Sequence, residues 1–543
     1  MSGLWPRRPG VRVAAAYALA VCAALGILIA RTRADEAPAD GRIVKMPPFP
    51  VFENGTWHYV LTEEVEVISR ASVTETADFL GHYLFQKRML EELLPAQLQP
   101  PQETPVEMVL INPDMERRMN DALAATMRTQ SLHQLPLDDT DGASTSVLLT
   151  LKNDDYSGLQ THPNRVKTLL SKRHPALPQW FQAWVTETFQ QIDWLDEREI
   201  TIPTSRWTSG DSHFIPFEEV FADTIPSSEN RRRTKLRDAQ RWLFFHWAMA
   251  EHRVALWTFV EQASMRPVTE EMFSDCFGLS YAELQKTLIA YIPLLRPIVI
   301  ARVSDTRVPA FTFREATDQE VAKVEGDLIR KEIHYVKSIR SDRAATARYI
   351  EHASRVLLAS FDIEESYTGY DPGFLAVVGL YYAELNDTRK AIPALSKAVE
   401  GHTPRTLAYI ELARMRYEQA AELPLGGGGG FSRAQVESIL ASIKSWPKAL
   451  TNLAAYDIAS RTLYRLADPP TDEDLAIFDE GLRTFPKNPA IILAAASLYG
   501  RAHNDVRAQQ LVDLGLEIVS DKALREKFIA LRIQIAASSV GRN

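Results

Sequence analysis

A register that returns after 34 residues constrains this chain more than any other feature. Val512, Gly515 and Leu516 stand 34 positions after Phe478, Gly481 and Leu482. Between the two sets runs Phe485-Pro486-Lys487-Asn488-Pro489, where one helix ends and the next begins at a proline. Within 489–522, Ala495, Ala496 and Tyr499 fall on a first helix, and Ala508, Val512, Gly515 and Leu516 on a second. Another unit runs from Pro372 to Pro404, with Gly379, Tyr382, Ala391, Leu395 and Ala398 in matching places. Small side chains there let paired helices approach closely, and Tyr382 or Tyr499 can wedge between neighbouring units. Such pairs cannot bury their faces alone and must stack. The middle of the array is interrupted by Gly426 to Gly430. No strand precedes these glycines and no Lys-Ser/Thr follows, so they read as a flexible insert, not a phosphate loop. The stretch from about 317 to 362 reads as divergent units.

This pattern resembles the tetratricopeptide repeat. The resemblance implies a concave face for a protein or an extended peptide. The other reading of the same array is a structural cap packed on the preceding domain.

The rest of the chain is compositionally ordinary. It has 45% hydrophobic and 24% charged residues, enough for a sizeable core in two or three domains. Its net charge of -9 argues against broad nucleic-acid binding. The run Arg231-Arg232-Arg233 is short, lies between Glu229 and Asp238, and reads as a solvated loop or helix start, not a nucleic-acid patch. The only cysteines are Cys22 and Cys276, and Cys22 lies in the N-terminal apolar run. The body of the chain therefore contains no internal disulfide and no cysteine metal cluster.

Arg7, Arg8 and Arg12 precede the uncharged stretch from Val13 to Ala30. A basic start before an apolar run is the mark of an export segment. It is long for a cleaved signal peptide and short for a comfortable span. A membrane anchor, a cleaved signal ending near Thr32-Arg33-Ala34, and lipidation at Cys22 all remain open. Each places residues 35–543 outside the cytoplasm, in a periplasm-like compartment. Residues 35–50, ending Met46-Pro47-Pro48-Phe49-Pro50, form a linker.

Beyond the linker, Trp57 to Ser69 alternates well enough for a strand or hairpin. Ala77, Leu80, Tyr83, Leu84, Met89, Leu93 and Leu94 mark a helix. Val106–Ile111 and Val147–Leu151 read as strands. From Pro178, Trp180, Phe181, Trp184, Val185, Thr188, Phe189 and Ile192 make a wide apolar stripe. From Thr234 to Tyr291 the chain reads as helices, with Gly278 fit to end one of them.

Residues 161–192 read THPNRVKTLLSKRHPALPQWFQAWVTETFQQI. This stretch resembles the active-site helix pair of gluzincin-type, peptidase-MA-like metallopeptidases. That family carries H-E-x-x-H on one helix and roughly W-x-x-E-G-x-A-E on the next. Pro178, Trp180 and Glu187 match the second half. Phe273, Phe277, Gly278, Leu284 and Leu288 match a later F-x-x-x-F-G element. The metal positions depart. Pro163, Asn164 and Lys167 stand in the first motif, and Ala183 replaces the glutamate ligand. Catalytic zinc takes three protein ligands and a water, and the glutamate of the histidine motif takes that water's proton. A proline, an asparagine and a lysine do neither.

The resemblance thus implies an α+β zincin-like domain that has lost its zinc, with Trp184 partly filling the vacated site. No cofactor is expected. His246 and His252, six apart, face different sides of a helix and do not form a ligand pair. His162, His174 and Glu187 lack helical ligand spacing.

The organisation expected is an export segment (1–34), a linker (35–50), a degenerate peptidase-MA-like domain (51–300), a connector (301–345) and all-α tetratricopeptide-like repeats (346–540). The function expected is a non-catalytic envelope scaffold that binds a protein or an extended peptide. The alternative is an active zinc metallopeptidase with a rearranged site.

Overall fold

A computed structural model of the chain describes residues 56–99, 105–111, 134–138, 144–151, 173–191, 199–202, 214–222, 231–302, 310–338, 371–422, 430–446, 451–519 and 521–540, with a few short pieces between. The export segment and linker, Pro163, Asn164, Lys167 and most of the glycine insert lie outside the described residues. Among those described, no helix is long and apolar enough to cross a membrane.

The chain opens with β1 (His58–Leu61), β2 (Val65–Ser69), α1 (Val73–Leu93), β3 (Val106–Ile111), β4 (Gln134–Asp138) and β5 (Thr145–Thr150). Then come α2 (Gln179–Gln191), β6 (Glu199–Ile202), α3 (Phe217–Val220), α4 (Arg231–Glu251), α5 (Arg253–Met265), α6 (Glu270–Phe277) and α7 (Tyr281–Tyr291). Next are β7 (Ile298–Arg302), β8 (Arg314–Glu315), α8 (Asp318–Ser338), α9 (Pro372–Glu384) and α10 (Thr388–Glu400). The remaining helices are α11 (Thr406–Glu422), α12 (Arg433–Ser445), α13 (Leu453–Tyr464), α14 (Asp472–Thr484), α15 (Pro489–Arg501), α16 (Asp505–Ile518) and α17 (Lys522–Val540). The layout is a mixed α/β beginning followed by a mostly helical C-terminal part.

Contacts gather the described residues into two compact units, each built from separated stretches. The first takes residues up to Thr76, those within Thr104–Asn153 and those within Thr312–Ala408. Its sheet has the order β4-β5-β3-β2-β1-β8. β2, β3 and β5 run parallel; β4 and β1 flank them antiparallel, and β8 pairs antiparallel with β1, so it points the same way as the central three. Every residue of β2, and all but the first of β3, is buried, as expected of central parallel strands. Thr62 turns β1 into β2: its hydroxyl accepts from the backbone N–H groups of Glu64 and Val65.

Helix α8 is buried on two sides. Val324 and Leu328 pack on Trp57, Tyr59, Ile68, Val109 and Leu148 of the sheet. Ala322, Ile329 and Ile333 pack on Phe374, Val377, Val378 and Tyr381 of α9. From Val324 to Lys331 every residue is buried. The stretch read from sequence as a connector therefore contributes the central helix of this unit. The hairpin α9–α10 closes tightly. A side-chain carbon on Gly379 would sit 2.6 Å from Cγ of Leu395, and Ala391 and Ala398 are wholly enclosed.

The second unit takes residues within Ala77–Glu103, Asp154–Phe311 and from Tyr409 onward. Helices α2 to α7 enclose an aromatic core of Trp180, Phe181, Phe221, Phe244, Phe245, Phe259 and Phe273, among others. Thr269 caps α6, Gly278 ends it at φ 70°, and Ser280 with Glu283 forms a capping box for α7. Helices α11 to α17 share another core. Asn488 and Pro489 start α15, and Asn504 caps α16. Gly515 lies against the ring of Phe528 on α17, where a side chain would collide, and Ala508 is fully buried. Within this unit the Lys487 ammonium donates to the Ala263 carbonyl at 2.8 Å, and His174 meets the Phe485 ring edge-on at 4.6 Å.

Candidate functional site

The residues singled out by the metallopeptidase resemblance lie on α2 and its surroundings. The helix starts where Pro178 offers its carbonyl to the N–H groups of Phe181 and Gln182. Gln182 adds a side-chain bond back to the Leu177 carbonyl at 2.7 Å. One stripe of the helix then carries Trp180, Trp184 and Thr188, one turn apart. All three are buried, and Trp184 stacks on Phe245 at 4.3 Å and 17°. Trp180 meets the same ring at 5.8 Å.

Ala183, which the resemblance aligns with a metal ligand, is exposed; Glu187 is half-buried. Trp184 therefore belongs to the aromatic core. The indole nitrogens of Trp180 and Trp184 and the hydroxyl of Thr188 find no hydrogen-bond partner among the described residues.

The candidate histidines among the described residues do not converge; His162 lies outside them. His246 is wholly buried, with Nδ1 3.0 Å from the Tyr291 hydroxyl, and burial lowers its pKa to about 4. His252 lies instead against Trp247, 4.5 Å between ring centres. His174 is also held near 4, by burial and by the neighbouring Arg173 charge. His246 and His174 are therefore neutral at physiological pH, and all three imidazoles are packed on rings. Among the described residues no group of three His, Cys, Asp or Glu side chains is placed to hold a metal ion.

Among the C-terminal helices, Tyr499 of α15 is buried and donates to Asp479 Oδ1 at 2.6 Å. Asp472, Leu475, Asp479, Tyr499, Ala502 and Asn504 line a cleft of about 390 Å³. Tyr382 lies half-buried, with the Lys390 ammonium 5.1 Å from its ring centre. The aromatic fully enclosed in that hairpin is its neighbour Tyr381, whose hydroxyl reaches the Ser354 carbonyl at 3.3 Å.

Sequence reasoning missed the densest polar cluster, which lies inside the first unit. Asp327 of α8 accepts from Arg330 at 2.8 Å, Lys331 at 2.9 Å and Arg405 at 2.7 Å. Arg405 also binds Glu107 of β3 and reaches the Ser144 hydroxyl at 3.4 Å. Lys331 donates to Ser146 at 2.8 Å, and Ser146 donates to Glu107 at 2.9 Å.

Burial alone would raise the Asp327 pKa. The Arg330 and Lys331 charges and hydrogen bonds more than offset that, so it lies below its ordinary value. Beside this cluster, Lys323 pairs with Glu66 at 2.5 Å, and the Tyr59 hydroxyl donates to the same carboxylate at 2.7 Å. A lysine beside a serine is a known way to activate a hydroxyl nucleophile. Here Lys331 is committed to Asp327 and Ser146 is only 1% exposed, so no substrate reaches it. The cluster is structural.

A sequence signal for it existed. Val321, Val324 and Leu328 form one apolar stripe of α8, and Ala322, Ile329 and Ile333 form another. A helix apolar on two sides leaves little water for the charges between them, so those charges must pair.

No protein-family model matches this chain, and no curated protein matches it.

Proposed function

We propose that this chain is an exported, membrane-tethered, non-catalytic scaffold. In this reading a zincin-like α+β domain without zinc ligands carries tetratricopeptide-like repeats that bind a protein or an extended peptide. The observation that carries the reading is on α2. Its ligand position is the short, exposed Ala183, and the next residue, Trp184, is committed to a ring stack in the core. An indole at that place gives a metal no lone pair and leaves no room for a bound water. The cleft beside Tyr499 supports the binding half of the proposal. Two aspartates and a phenol favour a partner segment with a lysine or arginine.

The test is metal content of the purified full chain after dialysis against zinc. Less than about a tenth of an equivalent is expected, because one carboxylate does not hold zinc. About one equivalent, lost in Glu187→Ala, would overturn the reading in favour of a rearranged metallopeptidase site. Basic peptides should bind the wild type and bind Asp479→Lys more weakly.

A further inference from the structure

Helix α8 carries two buried carboxyl groups that are treated in opposite ways. Asp327 is met by three cations. Glu325 is 0% exposed, and neither of its oxygens has a hydrogen-bond partner among the described residues. Two residues along a helix turn by about 200°, so the two carboxyls stand on opposite flanks.

Among the described residues, the charged groups facing α8 are otherwise engaged: near Ile350 and Ala353, which pack on it, Glu351 pairs with Arg355, and His334 of α8 itself lies 3.4 Å from Glu384. On β2, Glu66 is taken by Lys323 and Tyr59. On β3, Glu107 is taken by Arg405 and Ser146. The start of β5 brings the hydroxyls Ser144, Thr145 and Ser146, and the described side chain of β4 is Leu137. The buried residues of α9 are all uncharged, and its Glu384 holds Lys337 at the far end of α8. On α8 itself, Arg330 and Lys331 bind Asp327. Among the described residues, the cation acting on Glu325 is Arg70, just after β2. Its guanidinium lies over the Trp57 ring at 4.6 Å, and it contributes attraction without a hydrogen bond.

We propose that Glu325 is a proton-binding site that works as a pH-sensitive latch: protonated, it lets α8 stay packed between the sheet and α9; ionised, it forces that flank of α8 open. The physical reason is the cost of an unpaired carboxylate in an apolar interior, which a protein avoids by keeping the proton or admitting water. Burial accordingly pushes the Glu325 pKa well above the carboxylate range, against a weaker pull from Arg70.

The sign follows from proton linkage. The folded form holds a proton that the unfolded chain has released, so this contribution weakens as pH rises above the ordinary carboxylate range. It levels off once the folded carboxyl itself ionises. Asp327 works the other way, losing its contribution on acidification. The opening equilibrium of α8 should shift by up to about tenfold per pH unit inside the Glu325 window.

The test uses the full chain and two readouts. Infrared difference spectra at neutral pH should show a protonated-carboxyl band in wild type that is missing in Glu325→Gln. Hydrogen exchange of 318–338, corrected for intrinsic rates, should lose protection with rising pH in wild type and keep it in the variant. Should Glu325→Gln not fold, the wild-type band alone decides: it must disappear over the same pH range in which α8 loses protection. A spectrum without the band, or equal pH dependence in both proteins, would overturn the proposal.

Discussion

Helices α4 and α8 are both 21 residues long and both run through the interior of their units. α4 sends Trp242, Phe244, Phe245 and Trp247 into a continuous aromatic core. α8 sends Asp327, Arg330 and Lys331 into a closed ionic cluster. Ring contacts are many, individually small and loosely directional, so losing one leaves the others in place. The ionic cluster is directional and interdependent: each charge is affordable only while its partners remain. The helical unit is thus built to degrade gradually under substitution, and the sheet unit to fail abruptly.

The sharpest way to break this contrast is Asp327→Ala. It strands Arg330, Lys331 and Arg405 in the interior, and should cost about 3–5 kcal/mol in denaturant unfolding. Replacing Asp327 and Arg405 together by apolar residues should recover part of that loss. A double variant as unstable as the sum of its singles would contradict an interdependent cluster.

Gly515→Ala should cost about 1–3 kcal/mol, because the Phe528 ring must move to admit a methyl group. Phe245→Leu, which removes the stack under Trp184, should cost about 1–2 kcal/mol and leave the fold intact by circular dichroism. Trp184→Phe should be smallest, within about 1 kcal/mol of wild type, since it keeps a ring and deletes an N–H with no described partner.

Acid sharpens the contrast further. The Asp327 pKa is depressed in the folded chain, so its contribution is complete above the ordinary carboxylate range and is lost as pH falls through the folded value. Wild type should therefore lose stability steeply below about pH 4, and Asp327→Asn less steeply, in thermal melts across pH.

Periodicity made much of the local structure legible. The alternation from Trp57 to Ser69 became the β1–β2 hairpin, the apolar spacing after Ser72 became α1, and the runs at 106–111 and 147–151 became β3 and β5, the latter at Thr145–Thr150. Gly278 ends its helix as its backbone freedom suggested. The tertiary contacts were missed because their partners are distant along the chain. The cluster at Asp327 depends on Arg405, 78 residues away, and Arg405 meets Glu107 across 298 residues. Spacing within a window carries no record of such partners. The stripe on α2 placed Trp184 in a core, but only the fold identifies Phe245 as the ring it stacks on. β4 was missed because Pro136 breaks the strand pattern of Gln134–Asp138.

That proline has a consequence of its own. β4 is an edge of the described sheet, and Pro136 stands opposite Val147 in the middle of its five-residue ladder. An edge strand is a template on which another chain can lay itself, rung by rung. A residue without an amide hydrogen takes one rung out of a very short template. A second molecule that tries to extend the sheet from this side meets a five-residue strand interrupted by a proline, a combination that disfavours edge-to-edge pairing.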